Sequence, residues 1–122
     1  IRSLVGLMAS QASGCNYCIA HTSNSALEKN IPIEKVKKIW EFENSECFSK
    51  SEKAALRIAL NAAQTPNLIS DEDYNQFKKY FDENQQIEIL AIISLFGFLN
   101  RWNSSLMTEI ESLPLNRIKE LE

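Results

Sequence analysis

Ile87-Glu88-Ile89-Leu90-Ala91-Ile92-Ile93-Ser94-Leu95-Phe96-Gly97-Phe98-Leu99 is the most apolar stretch of the chain, and its reading decides the fold class. Its β-branched residues suit a buried strand as well as a helix. Two features choose the helix. The run is longer than an ordinary strand, and Asp82 with Gln85 three residues later is a capping-box pattern that opens a helix just upstream. A helix apolar nearly all round belongs at the centre of a bundle or in a subunit interface. Interrupted by Glu88 and Ser94, the run is too short to cross a bilayer, so a membrane is not an expected partner.

Helical patterns extend outward from this segment. Ser49 with Glu52 repeats the capping box and opens a helix carrying Ala55, Leu56, Ala59, Leu60 and Ala63, closed by Thr65-Pro66. Ser70, then Tyr74, Phe77 and Phe81, suggests another. Ile33, Val36, Ile39 and Trp40 have the spacing of a short helix. Leu4, Val5, Leu7, Met8 and Ala12 give a first helix its apolar face, broken by Ser13-Gly14. A second helix starts at the cysteines and runs to about Asn30, where Ile31-Pro32 follows. Beyond Leu106 the chain turns polar, and Pro114 precedes a short terminal helix. With no hairpin signal, the fold class is all-α, a helical bundle. At 122 residues it is one domain over 1–122. The chain begins at Ile1, without an initiator Met and already inside a helical pattern, so upstream residues are expected to be missing.

Thirteen basic and 16 acidic residues give a net charge of −3 with mixed signs and no basic stripe, so nucleic acid is not an expected partner. Three cysteines do not make the disulfide framework of a secreted domain. A close pair plus one odd cysteine is more typical of a cytoplasmic redox or metal protein.

The chemistry concentrates in Ser13-Gly14-Cys15-Asn16-Tyr17-Cys18-Ile19-Ala20-His21-Thr22, which holds two of the cysteines and the only histidine. Gly14 lets the backbone turn into a helix, whose free N–H groups and dipole favour a thiolate over a thiol. Cys15 and Cys18, three apart, share a helix face and can close a disulfide. His21 follows Cys18 by three and can meet it across one turn, taking or returning a proton. The candidate catalytic residues are therefore Cys15, Cys18 and His21, with no cofactor and no metal. Zinc is the rival for the same groups, with Cys47 as a fourth ligand, but CxxCxxH on one continuous helix is awkward for a tetrahedral ion. Cys47 reads otherwise as a spare thiol. Glu52 reads as a cap, or as a relay carboxylate if its helix meets the cysteines. Tyr17 either gates the thiols or packs on a neighbour. Arg101 pairs with a buried carboxylate or fixes an interface, and Phe96, Phe98 and Trp102 form core or interface.

The stretch Ser10 to Thr22 resembles the signature of the carboxymuconolactone decarboxylase and AhpD-like alkylhydroperoxidase family. Phe48 to Arg57 and Leu95 to Asn103 resemble the family's later helices, so the likeness covers roughly residues 3 to 108. It implies an all-helical subunit in a homo-oligomer. It also implies reduction of a small-molecule peroxide or disulfide by the cysteine pair, without metal or flavin, and regeneration by an external dithiol reductant. Members that decarboxylate a lactone lack the pair. The family roles make Cys18 the residue that forms a sulfenic acid and Cys15 the one that resolves it. The chain departs from the pattern twice: Thr22 stands where the peroxidase members have their histidine, with His21 one residue early, and Ser3 stands where they carry a relay glutamate. Helix position gives the competing order, with Cys15, nearer the N-terminus, attacking first. A reading from another class is a redox sensor whose CxxC switches assembly without turnover.

Overall fold

Residues 1–122 are described by a computed structural model in which every regular element is helical. The helices are α1 (Arg2–Ser13), α2 (Asn16–Glu28), α3 (Ile33–Lys37), α4 (Lys50–Ala62), α5 (Asp71–Tyr80), α6 (Glu83–Leu106) and α7 (Ser112–Leu121), with a 3-10 turn at Ile39–Glu41. The capping boxes read from the sequence are present at Ser49/Glu52 and Asp82/Gln85, and Ser70 forms a third with Asp73. Three helix ends use left-handed backbone: Gly14 (φ 68°) closes α1, Asn30 (φ 63°) follows the end of α2, and Met107 (φ 51°) closes α6.

The central helix is α1. Leu4, Val5, Gly6, Leu7, Met8, Ala9 and Ser10 are all buried in sequence, so α1 is enclosed on every side by α2, α4 and α6. Small residues make this possible. A Cβ on Gly6 would lie 2.8 Å from the Phe96 ring, so the aromatic sits where only glycine leaves room. Around α1 the core gathers Ile39, Phe42, Leu56, Ile58, Phe77, Ile89 and Ile93.

The placement of α6 removes one of the two positions expected for it. It is not the centre of the bundle: among its residues only Ile89, Ile93 and Asn100 are buried, and Ile87, Leu95, Phe98, Trp102 and Leu106 are each more than half exposed. Phe98 and Trp102 stack on each other on that open side. Apolarity all round marks a helix with one face on α1 and a second apolar face not covered by its own chain. Two smaller differences concern boundaries. The third helix stops at Lys37 and tightens into the 3-10 turn, which leaves Ile33 and Trp40 exposed. Pro114 lies within the first turn of α7, where its missing N–H costs nothing, instead of preceding the helix.

Candidate active site

The left-handed turn at Gly14 ends α1 and delivers Cys15 to the N-cap position of α2. A Cβ on Gly14 would meet nothing within 4 Å, so backbone conformation, not space, selects glycine there. The Cys15 sulfur accepts the Cys18 backbone N–H at 3.3 Å, taking the place a serine or aspartate oxygen normally fills at a helix start. The contact gives a partner to one of the backbone N–H groups left free at a helix start.

Cys18 lies one turn deeper. Both thiols are free and both are almost fully covered, at 1% exposure for Cys15 and 3% for Cys18. Burial pushes the Cys18 thiol up to about 11, with the Cys15 contact adding to the rise, while the Asn100 and Asn103 amides act in the opposite direction. Asn103 Nδ2 lies 3.9 Å from Cys18 Sγ. Asn100 is 2% exposed; its Nδ2 donates to Ser10 Oγ at 3.2 Å, and Ser10 Oγ donates to the Gly6 carbonyl. Asn100 Oδ1 has no partner. An orphaned buried acceptor costs about 1–3 kcal/mol.

His21 is held by a residue that the sequence reading missed. Its Nε2 lies 2.6 Å from Glu111 Oε2, and Tyr17 Oη donates to Glu111 Oε1 at 3.0 Å. The Tyr17 and His21 rings are 4.4 Å apart. Glu111 is the N-cap residue of α7, so its carboxylate clasps the outer face of α2 to the start of the last helix. Its own backbone N–H, then His21 and Tyr17, hold the carboxyl below its usual range, and the same contact holds the Tyr17 phenol above its own. Nε2 faces the carboxylate, which leaves Nδ1 as the ring nitrogen not engaged by Glu111.

The other predicted residues fall away from the pair. Glu52 Oε1 accepts the Ser49 N–H, and both carboxylate oxygens accept from Lys35 Nζ at 2.8 Å, so it serves as cap and ion pair. Cys47 packs against the edge of the core, and no three His, Cys, Asp or Glu side chains converge as a metal site. Arg101 donates to the Gly97 carbonyl and, at 3.4 Å, to Thr65, which ties α6 to the segment after α4. Ser3 and Thr22, the two positions that depart from the peroxidase pattern, line one cleft of about 410 Å³ together with His21, Gly6 and Phe96.

The match to the carboxymuconolactone decarboxylase family model spans residues 1–61, half of the chain and all of α1, the cysteine motif and α2. The chain belongs to that family. Relatives include the uncharacterised protein YnjA of Escherichia coli, 30% identical over 120 residues that cover 98% of this chain and 65% of YnjA. Another is the uncharacterised protein YdfG of Bacillus subtilis, 26% identical over 103 residues covering 84% of this chain and 68% of YdfG. Among solved structures, the apo debrominase Bmp8 superposes with a TM-score of 0.93 at 34% identity, over 99% of this chain and 65% of Bmp8. A cysteine-to-alanine variant of Bmp8 in complex with 2,3,4-tribromopyrrole superposes equally well. A protein of unknown function from Agrobacterium tumefaciens, proposed as the antioxidant defence protein AhpD, shares the AhpD-like fold at 15% identity, with a TM-score of 0.86 over 90% of this chain and 76% of its own length. The chain thus spans about 65% of the length of YnjA and of Bmp8. No helix is long and apolar enough to cross a membrane.

Proposed function

We propose that this family member is a thiol-dependent oxidoreductase in which Cys15 and Cys18 together deliver two electrons to a small peroxide or disulfide. The observation that carries this reading is the place of Cys15, at the N-cap of α2 with its sulfur taking the Cys18 N–H. Cys15 is the attacking sulfur and Cys18 the resolving one, the reverse of the order that the family resemblance implies. Two observations support the reversal. Burial pushes the Cys18 thiol up to about 11, and the relay positions that would activate it carry Ser3 and Thr22.

With a hydroperoxide ROOH, the Cys15 thiolate attacks the terminal oxygen, RO⁻ leaves and takes a proton as ROH, and Cys15 becomes a sulfenic acid. Cys18 then attacks the Cys15 sulfur, hydroxide leaves with the Cys18 proton as water, and the Cys15–Cys18 disulfide remains. With a disulfide, the first step forms a mixed disulfide and releases one thiol, and Cys18 displaces the second. An external dithiol reduces the pair and leaves as its own disulfide. His21, held by Glu111, accepts and returns the proton at Nδ1. Both sulfurs are covered, so we assign admission of substrate to release of Tyr17, whose hydroxyl is tied to α7 by Glu111. Subunits associate through the open α6 face, and the dithiol cycle suits a reducing cytoplasm.

A second reading is favoured by the 34% identity to the debrominase Bmp8 across nearly the whole chain. In it the same dithiol removes bromine from an aromatic ring: Ar–Br and two thiols give Ar–H, the Cys15–Cys18 disulfide and HBr. A panel of cumene hydroperoxide, an aromatic disulfide and 2,3,4-tribromopyrrole, each with a dithiol reductant, separates the readings. Turnover of the first or second supports the primary reading, and turnover of the third alone supports the other. Cys15→Ser and Cys18→Ser must each abolish turnover, and only Cys18→Ser should trap a covalent adduct on Cys15. Reversible disulfide formation with no turnover of any of the three would identify a redox switch instead.

A further inference from the structure

The inward stripe of α6 runs Ile89, Ile93, Phe96, Asn100, Asn103, at the alternating spacing of three and four that keeps side chains on one helix face. Its first members are apolar and meet the core. Its last two are amides, and the change falls where α6 crosses the cysteine motif of α2. Neither asparagine is needed to end the helix, which continues to Leu106.

We propose that Asn100 and Asn103, one turn apart on α6, form a two-amide cradle that stabilises the Cys18 sulfur in its charged state. Asn103 already directs Nδ2 at Cys18 Sγ, at 3.9 Å, while also donating to the Leu99 carbonyl at 3.0 Å. Asn100 is the adjustable member. Its Nδ2 is given to Ser10 and its Oδ1 is buried without a donor. A rotation of the amide by half a turn exchanges the two atoms. Oδ1 then accepts from the Ser10 hydroxyl, which gives up the Gly6 carbonyl, and the freed Nδ2 is available to the sulfur. The turned arrangement also gives the buried Oδ1 its missing donor.

Such a cradle answers a specific difficulty. A sulfur this well covered resists ionisation, yet Cys18 must carry negative charge when it attacks Cys15 and again when the external dithiol displaces it from the disulfide. Amide N–H groups supply that stabilisation without adding a formal charge to the interior. The titratable neighbours of the sulfur are Cys15 and Tyr17, with the His21–Glu111 pair on the outer face of α2 and the start of α7. From α1 and α6 the groups that meet here are Ser10, Asn100 and Asn103. The inference rests on the dithiol reading for its purpose, but its test does not need turnover.

The experiment is alkylation of the reduced full chain by iodoacetamide from pH 7 to 12, with tandem mass spectrometry separating Cys15 from Cys18. Asn103→Ala should lower the Cys18 rate about 3- to 10-fold from pH 7 to 10, with the deficit shrinking as pH approaches 12, as an upward shift of about 0.5–1 pKa unit requires. Asn103→Asp keeps the shape but replaces the donor with an anion, and should slow Cys18 more than alanine does. Asn100→Ser, chosen so that the buried site keeps a small polar group, should act in the same direction. The Cys15 profile should move less than the Cys18 profile in every variant. A Cys18 profile unchanged in folded Asn103→Ala and Asn103→Asp would overturn the proposal, as would a drop of equal size at all pH values, which would mean altered access. Absence of turnover with an altered Cys18 profile would retire the enzymatic reading and leave the cradle standing.

Discussion

Replacing Gly6 with alanine tests the packing that sets α6, and with it the two asparagines, against the cysteine motif. The added Cβ would lie 2.8, 3.2 and 3.3 Å from three atoms of the Phe96 ring, the first closer than Cβ atoms approach and the other two tighter than most such contacts. Overfilling of this kind costs about 1–3 kcal/mol. Alanine recovers about 1 kcal/mol of helix propensity in the middle of α1, and the half-buried ring can yield, so the net loss should be about 1 kcal/mol. For a domain of this size that is roughly 4 °C in Tm. The decisive assay is a double-mutant cycle by urea unfolding with an unchanged m value. In a Phe96→Ala background the clash is gone and Gly6→Ala should stabilise by about 1 kcal/mol, a coupling of about 2 kcal/mol between the two sites. If Gly6→Ala stabilises equally in both backgrounds, α1 and α6 do not cross as described.

Glu52 should make the protein acid-sensitive. Burial raises its carboxyl, but hydrogen bonds from Lys35 and Ser49 outweigh this and hold it below its ordinary value of 4.5. A carboxyl lowered in the folded state contributes stability above its unfolded value, lost as pH falls below about 4.5 through the folded one. Lys35→Met should flatten that part of the pH–stability curve, and an unchanged slope would show the pair to be inert. Glu111→Gln should loosen the start of α7, seen as faster limited proteolysis near residues 107–112 and faster alkylation of the cysteine pair. Unchanged rates for both would remove Glu111 from the gate. Light scattering at micromolar concentration should report an oligomer that Phe98→Glu dissociates, and a monomeric wild type would refute association through α6.

The helices were legible because each carries its own local signals. The boxes at Ser49/Glu52 and Asp82/Gln85 formed as written, and Gly14 and Asn30 took the left-handed conformations that end helices. Pattern alone left α6 either central or at an interface, and it did not single out α1 as the central helix. The fully buried segment is Leu4–Ser10, and its Gly6, Ala9 and Ser10 look unremarkable because small residues signal close approach, not hydrophobicity. Conversely, the loud apolar run of α6 faces open space on one side, which a single chain cannot reveal. At the site, the motif opens a helix, with Cys15 at the N-cap and Cys18 in the first turn of α2, but the partner of His21 is 90 residues away, in a polar stretch with no motif. Asn100 and Asn103 did leave a trace, as two amides on the inward stripe of an apolar helix. Periodicity can mark such residues as misplaced, but only the fold shows that they lie over Cys18.

The most direct test of a dithiol cycle is the fate of the three cysteines after one equivalent of hydrogen peroxide or of a small aromatic disulfide. Peptide mass spectrometry of the oxidised protein should find a Cys15–Cys18 link, the loss of two hydrogens on that peptide, and Cys47 still open to alkylation. A dithiol should restore the starting mass. A dominant link through Cys47, or stable oxygenation of Cys15 with Cys18 still reduced, would contradict the account.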